Sequence, residues 1–146
     1  MSSIFCPRTP VPISDAPLWV CLASTTVQAG FPSPAEEFGA KRIDLVTVLI
    51  KHPQATHILG VSGNSMVEEG INDGDLLVVD KAERPVHDDI VVAVLDAEFT
   101  VKKLYSRHGH MRLRAGNRTY PDIVPRDGQT IELWGVVRAS IKVFKR

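Results

Sequence analysis

Two short stretches hold the residue types that could carry out covalent chemistry. Val61-Ser62-Gly63-Asn64-Ser65-Met66 sets a serine among small residues where a strand gives way to a tight turn. Phe99-Thr100-Val101-Lys102-Lys103-Leu104 has the texture of a buried strand, yet it carries two adjacent lysines. A serine hydroxyl becomes a nucleophile beside a base, and a lysine can be that base only when it is desolvated and neutral. Ser65 and a lysine of the second stretch are therefore a candidate Ser–Lys dyad for acyl transfer. Side chains alternate across a strand, so one lysine faces inward and the other outward. Phe99 and Val101 share a face with Lys103, whereas Thr100 and Leu104 share one with Lys102. Alternation leans slightly toward burying Lys103 and does not settle which lysine is the base.

Other catalytic schemes fit less well. Residue 67 is valine, so Ser65 does not sit in the Gly-x-Ser-x-Gly elbow, and no strand–helix alternation surrounds it. His52 precedes Pro53, His87 lies in a polar turn with Asp88 and Asp89, and His108 and His110 straddle Gly109. With His57, these read as surface residues without an orienting partner. Asp73, Asp75 and Asp80 lack the twelve-residue calcium-loop pattern and read as turn and strand-end residues. No metal site and no cofactor is expected.

The elements that must hold the serine and the lysine begin at Thr56. Runs at 57–62, 75–80, 89–95, 98–105 and 111–114 alternate or are β-branched, with Asn72-Asp73-Gly74, Asp96-Ala97 and Gly116-Asn117 as turns. Residues 130–144 give one long or two short closing strands. Strands at such short intervals with few helices imply an all-β, partly closed or sandwich-like fold. Ahead of them, Ser33, Pro34 and Glu36 carry helix-start signals for a short helix to about Phe38, stopped by Gly39. Asp44 can cap a second, with Leu45, Val48 and Leu49 at helical spacing before His52-Pro53. Residues 1–29, with Pro7, Pro10, Pro12 and Pro17, read as an extended arm that docks on the following domain. The division expected is an arm over 1–29, a linker with short helices over 30–55, and a β-rich domain over 56–146. The linker is too short for a helix-turn-helix domain.

Composition narrows the class further. The 146 residues are 44% apolar and 23% charged, as in an ordinary globular domain. Seventeen basic and seventeen acidic residues cancel, which argues against direct sequence-specific DNA binding. No apolar run approaches the ~20 residues of a membrane span. Cys6 and Cys21 read as two reduced intracellular thiols. Residues 16–23 mimic a signal-peptide core and Val27-Gln28-Ala29 a small-residue cleavage site, but Arg8 alone supplies basic charge, and Asp15 and the prolines stand against export.

Together with Ala29-Gly30-Phe31-Pro32-Ser33-Pro34-Ala35, Arg42-Ile43-Asp44-Leu45, His52-Pro53-Gln54-Ala55-Thr56 and the run 70–80, the serine and lysine stretches resemble the UmuD-type mutagenesis proteins of the LexA/UmuD self-cleaving family. The resemblance is close over about residues 28–105 and looser over the carboxyl-terminal strands. It implies a partly open β-barrel or sandwich of that peptidase type. It also implies Ser65 as nucleophile, Lys102 as general base, and cleavage of the chain's own Ala29–Gly30 bond. Thr100, on the strand face of Lys102, is then placed to help orient the amine, and the backbone N–H groups of Ser65 and Asn64 are the expected oxyanion donors. The family's trigger, the RecA filament on single-stranded DNA, would make this a cytoplasmic DNA-damage (SOS) response protein. The homodimeric product beginning at Gly30 would be the accessory subunit of an error-prone translesion polymerase of the UmuC-type Y family. The rival readings are a fragment of a LexA-like repressor, a membrane-bound signal peptidase, and a non-catalytic polymerase-binding module in which Ser65 and Lys102 are unpaired.

Overall fold

In the computed structural model, residues 16–23, 27, 29–30, 40–126 and 130–145 are described. Strands β1 (Trp19–Ala23) and β2 (Ala40–Asp44) pair antiparallel as a two-stranded sheet. Helix α1 (Leu45–Leu49) follows at once. Asp44 caps it as the sequence predicts, accepting from the Val46 N–H at 3.0 Å and the Thr47 hydroxyl at 2.8 Å. Asp44 also accepts the Leu18 N–H at 2.8 Å, which ties the entry of β1 to the helix start. The helix expected over 33–38 lies outside the described residues, as does Cys6, while Cys21 on β1 is an exposed free thiol.

Strands β1 and β2 were not legible in the sequence. They bring residues assigned to the arm and to the linker into one hairpin-like pair. Solvent wets most of the side chains of β1, so it shows no alternation of buried and exposed positions. The pair is held by its ladder and by Arg42, whose guanidinium lies 5.6 Å from the centre of the Trp19 ring.

The second sheet is the core. β3 (Thr56–Gly60), β4 (Leu76–Asp80), β5 (Ile90–Leu95), β6 (Glu98–Arg107), β7 (His110–Arg114) and β8 (Ile131–Ile141) form six strands in the order β3-β4-β8-β5-β6-β7. Every neighbouring pair is antiparallel. The mostly β, partly open fold expected from the sequence is the one observed. The closing region is one long strand, and it works as two: its second half pairs with β4 and its first half with β5. The register shifts once in each pairing, and such bulges bend a strand and increase its twist. Gly135 sits at this bend because a Cβ there would lie 2.7 Å from Val79 Cγ1 and 3.1 Å from the Asp80 carbonyl oxygen.

The bend curls the sheet into an open trough. Trp134 on β8 makes edge contacts at 5.3 Å with His57 of β3 and with Phe99 of β6, although each of those strands lies two places away. The ends of the strand order, β3 and β7, do not pair, so the barrel stays open. Apolar residues fill both faces. One cluster gathers Met66, Ile71, Leu77, Val79 and Val92; the other gathers Val91, Ala93, Leu104 and Leu113. Among the described residues, no helix is long and apolar enough to cross a membrane.

Candidate active site

Ser65 is positioned by the segment leaving β3. Val61 continues the strand briefly, its N–H donating to the Asp75 carbonyl and its own carbonyl accepting from the Gly74 N–H, each at 2.8 Å. The chain then turns at Gly63, whose φ of +95° is accessible to glycine at little cost. The Gly63 N–H donates to Asp73 Oδ1 at 2.8 Å. On the far side of Ser65, Met66 is driven into the core with 1% exposure and opens a short 3₁₀ turn over Val67–Glu69. A pinned glycine before the serine and a buried methionine after it leave the half-buried Ser65 little freedom.

β6 delivers the lysine. Lys102 Nζ lies 2.9 Å from Ser65 Oγ and donates to the Val101 carbonyl at 3.1 Å. The residue is only 9% exposed, and neither partner is anionic. Burial therefore pushes its pKa below the ordinary 10.5, because desolvation penalises the charged form. Lys103 is half-buried and forms an ion pair with Glu69 at 3.1 Å. The lean of the alternation toward burying Lys103 is thus corrected, and the two-sided core gives the reason. Val101 packs against the Met66 cluster and Leu104 belongs to the Leu113 cluster, so β6 has no single inward face for periodicity to find.

The pair opens on a cavity of about 260 Å³. Leu59, Val61, Leu77, Val92 and Phe99 supply apolar walls, and Ser65, Thr100 and Lys102 face the same space. Thr100 lies where the strand alternation places it, but the second hydrogen bond of the amine goes to the Val101 carbonyl rather than to Thr100. Among the described residues, the backbone N–H groups of Asn64 and Ser65 have no hydrogen-bond partner. Ala29 and Gly30 sit in an exposed bend; neither lines the cavity, and the space beside Gly30 is open. Ser65, Thr100 and Lys102 are brought together, whereas Ala29–Gly30 is apart from them.

Several polar residues have larger structural roles than the sequence suggested. His52 Nδ1 lies 2.6 Å from Asp80 Oδ2, so this histidine does have an orienting partner. Asp80 is fully buried, and its other oxygen accepts the N–H groups of Ala82 and Glu83. Burial alone would raise its pKa; the His52 bond and these backbone donors outweigh that and hold it below the ordinary carboxylate value. His52, Asp80 and Glu83 bring three ligand-type atoms within 4.8 Å, but the oxygens of Asp80 are already engaged by protein donors. Asp75 is held low by the Asn72 N–H and by Lys142, whose amine lies 2.7 Å from both of its oxygens. His57 is packed edge-on to Trp134 with its Nδ1 buried, and His87 accepts the Ser106 N–H at 3.1 Å. His108 and His110 are exposed.

Asn117 has no counterpart in the sequence reading beyond its turn. Its Nδ2 donates to the Asn64 carbonyl at 2.8 Å, next to the serine and across 53 residues of chain. The Gly116-Asn117 turn signal marks the bend but not what the bend reaches.

The profile of the Peptidase S24-like family matches residues 21–138. Protein SamA of Salmonella typhimurium is 41% identical over 128 residues, covering 88% of this chain and 86% of that protein. Protein ImpA of Escherichia coli is 54% identical over 80 residues, about half of each chain at 55%. Protein MucA of Escherichia coli is 41% identical over 116 residues, 79% of each.

Proposed function

The chain belongs to the Peptidase S24-like family, and from that premise we propose that it is a self-cleaving serine endopeptidase that cuts its own Ala29–Gly30 bond. The observation that carries this reading is the 2.9 Å approach of Lys102 Nζ to Ser65 Oγ in an apolar-walled cavity. A neutral amine there accepts the Ser65 proton as Oγ attacks the Ala29 carbonyl carbon. The N–H groups of Ser65 and Asn64 receive the oxyanion. Collapse of the tetrahedral intermediate breaks the Ala29–Gly30 bond, and the proton held on Lys102 passes to the Gly30 nitrogen as it leaves. Water, deprotonated by Lys102, then releases Ala29 from Ser65 and regenerates the hydroxyl.

The exposed Ala29–Gly30 bend must move onto Ser65 before any of this can begin. Cleavage is slow while that docked state is rare, and a partner that favours docking accelerates it by population shift. In the biological reading, the RecA filament on single-stranded DNA is that partner. The protein is then a cytoplasmic SOS-mutagenesis factor and a homodimer. Its product beginning at Gly30 serves a UmuC-type Y-family polymerase in translesion synthesis, without sequence-specific DNA contacts of its own.

The test is the intact mass of wild type, Ser65→Ala and Lys102→Ala after incubation from neutral to alkaline pH. A parallel set at neutral pH receives RecA, single-stranded DNA and a nucleotide. A fragment beginning at Gly30 should form in wild type alone, faster as the amine loses its proton and faster with the filament. A wild-type chain that stays whole under every condition leaves only a binding role.

A further inference from the structure

Building on the reading of Ser65 as nucleophile, we propose that Asn117 is a positioning residue that aims the Ser65 backbone N–H into the cavity, where it meets the oxyanion. Asn117 Nδ2 donates to the carbonyl of Asn64 at 2.8 Å. That carbonyl and the Ser65 N–H belong to one planar peptide unit, and no cis peptide is present, so the two groups point in opposite directions. Asn117 does not line the cavity, whereas Ser65 does. Holding the carbonyl toward Asn117 therefore turns the N–H away from it and toward the cavity. The peptide cannot rotate without breaking this bond.

The donor is itself fixed. Asn117 Oδ1 accepts from both the N–H of Thr119, at 3.1 Å, and its hydroxyl, at 2.8 Å, so the Nδ2 end of the amide faces Asn64. The turn carrying it is clamped to the residues after the serine. The Gly116 N–H donates to Met66 Sδ at 3.2 Å, the Glu68 N–H donates to the Gly116 carbonyl at 2.6 Å, and the Arg118 N–H donates to Glu68 Oε1 at 2.7 Å. Gly116 allows that approach: a Cβ would lie 2.7 Å from Glu69 Cγ and 3.2 Å from Met66 Cα. Asp73 pins the Gly63 N–H on the other side of Asn64. Asn64 is thus held from both flanks, with Asn117 governing the peptide that carries the N–H of the nucleophile.

The experiment follows self-cleavage of the full chain across alkaline pH for wild type, Asn117→Asp, Asn117→Ala and Thr119→Ala, each below its own thermal midpoint. Asn117→Asp retains the acceptor for Thr119 and so preserves the turn, but it removes the donor. Losing an aligned oxyanion donor costs roughly 10²-fold in rate, so Asn117→Asp and Asn117→Ala should fall by about that factor. Thr119→Ala, which removes the hydroxyl but keeps the N–H that holds Oδ1, should lose no more than roughly tenfold. The pH at half-maximal rate should not move in the uncharged variants Asn117→Ala and Thr119→Ala, because the burial of Lys102 is unchanged; Asn117→Asp, which adds a negative charge near the amine, is compared at its alkaline plateau. Asn117→Asp reaching the wild-type plateau rate, or a loss in Asn117→Ala expressed as a shifted pH midpoint with the plateau kept, overturns this assignment while leaving the peptidase standing. A wild type intact at every pH brings down the peptidase reading and this assignment with it.

Discussion

Lys102 is buried beside neutral partners, and a charge in that setting is costly. The cost has two measurable consequences, both fixed in sign by the lowered pKa. Self-cleavage should rise with pH and reach half its maximum below 10.5, the ordinary value for the amine. Lys102→Met should fall by more than about 10³-fold, as dyads that work as a unit do. Lys103→Ala should cleave normally and lose only the Glu69 ion pair, about 0.2–1 kcal/mol. Stability follows the same titration. Between the folded pKa of Lys102 and 10.5 the unfolded chain binds more protons, so stability rises with pH across that window. In a Ser65→Ala background, urea midpoints should therefore favour Lys102→Met at neutral pH, with the advantage shrinking as pH climbs through the window. A constant difference between the two would mean that Lys102 is not desolvated. The choice between the lysines illustrates a limit of sequence patterns. Periodicity identifies an inward face only where a strand has one, and β6 is packed on both.

Elements that bury one or both faces were readable, and those that bury neither were not. β3 through β7 were legible from alternation and turn residues to within a residue or two, and β8 to within three at its end, because they line the two apolar clusters. β1 and β2 gave no such pattern. The buried polar residues Thr56, Asp75 and Asp80 were equally silent, since their partners come from distant segments or from backbone. The β5–β6 turn was legible as a turn, yet its residues are not the best ones for it. Asp96 and Ala97 adopt φ of +50° and +65° between paired strands, the positions that a type I′ turn reserves for Asn, Asp and Gly. A left-handed alanine is strained by roughly 1–2 kcal/mol, part of which glycine gives back in unfolded-state entropy. Ala97→Gly should raise stability by about 0.5–1 kcal/mol, read as a higher urea midpoint at unchanged slope. A lower midpoint would show that the turn does not adopt this conformation in solution.

At the scale of the whole molecule, β1 and β2 form a sheet of their own beside the six-stranded one. The bond proposed for cleavage lies in the connection between them, so a cut at Ala29–Gly30 leaves β1 on a separate peptide. Two isolated strands are marginal in water, and beyond its ladder this pair has the contact of Arg42 with Trp19 and the exposed bonds of Leu18 to Asp44 and Leu45. The severed strand should leave. β2 is then left without a strand partner among the described residues, and Arg42, Ile43 and Val48 lose the Trp19 ring that shares their surface groove. Amide hydrogen exchange can read this directly by comparing the full-length Ser65→Ala chain with a chain starting at Gly30. The β2 amides that donate to β1 should become unprotected in the shorter chain. Amides of β4, β5 and β8 should keep their protection, because none of those strands pairs with β1. Persistent protection of β2 would mean that something other than β1 holds it.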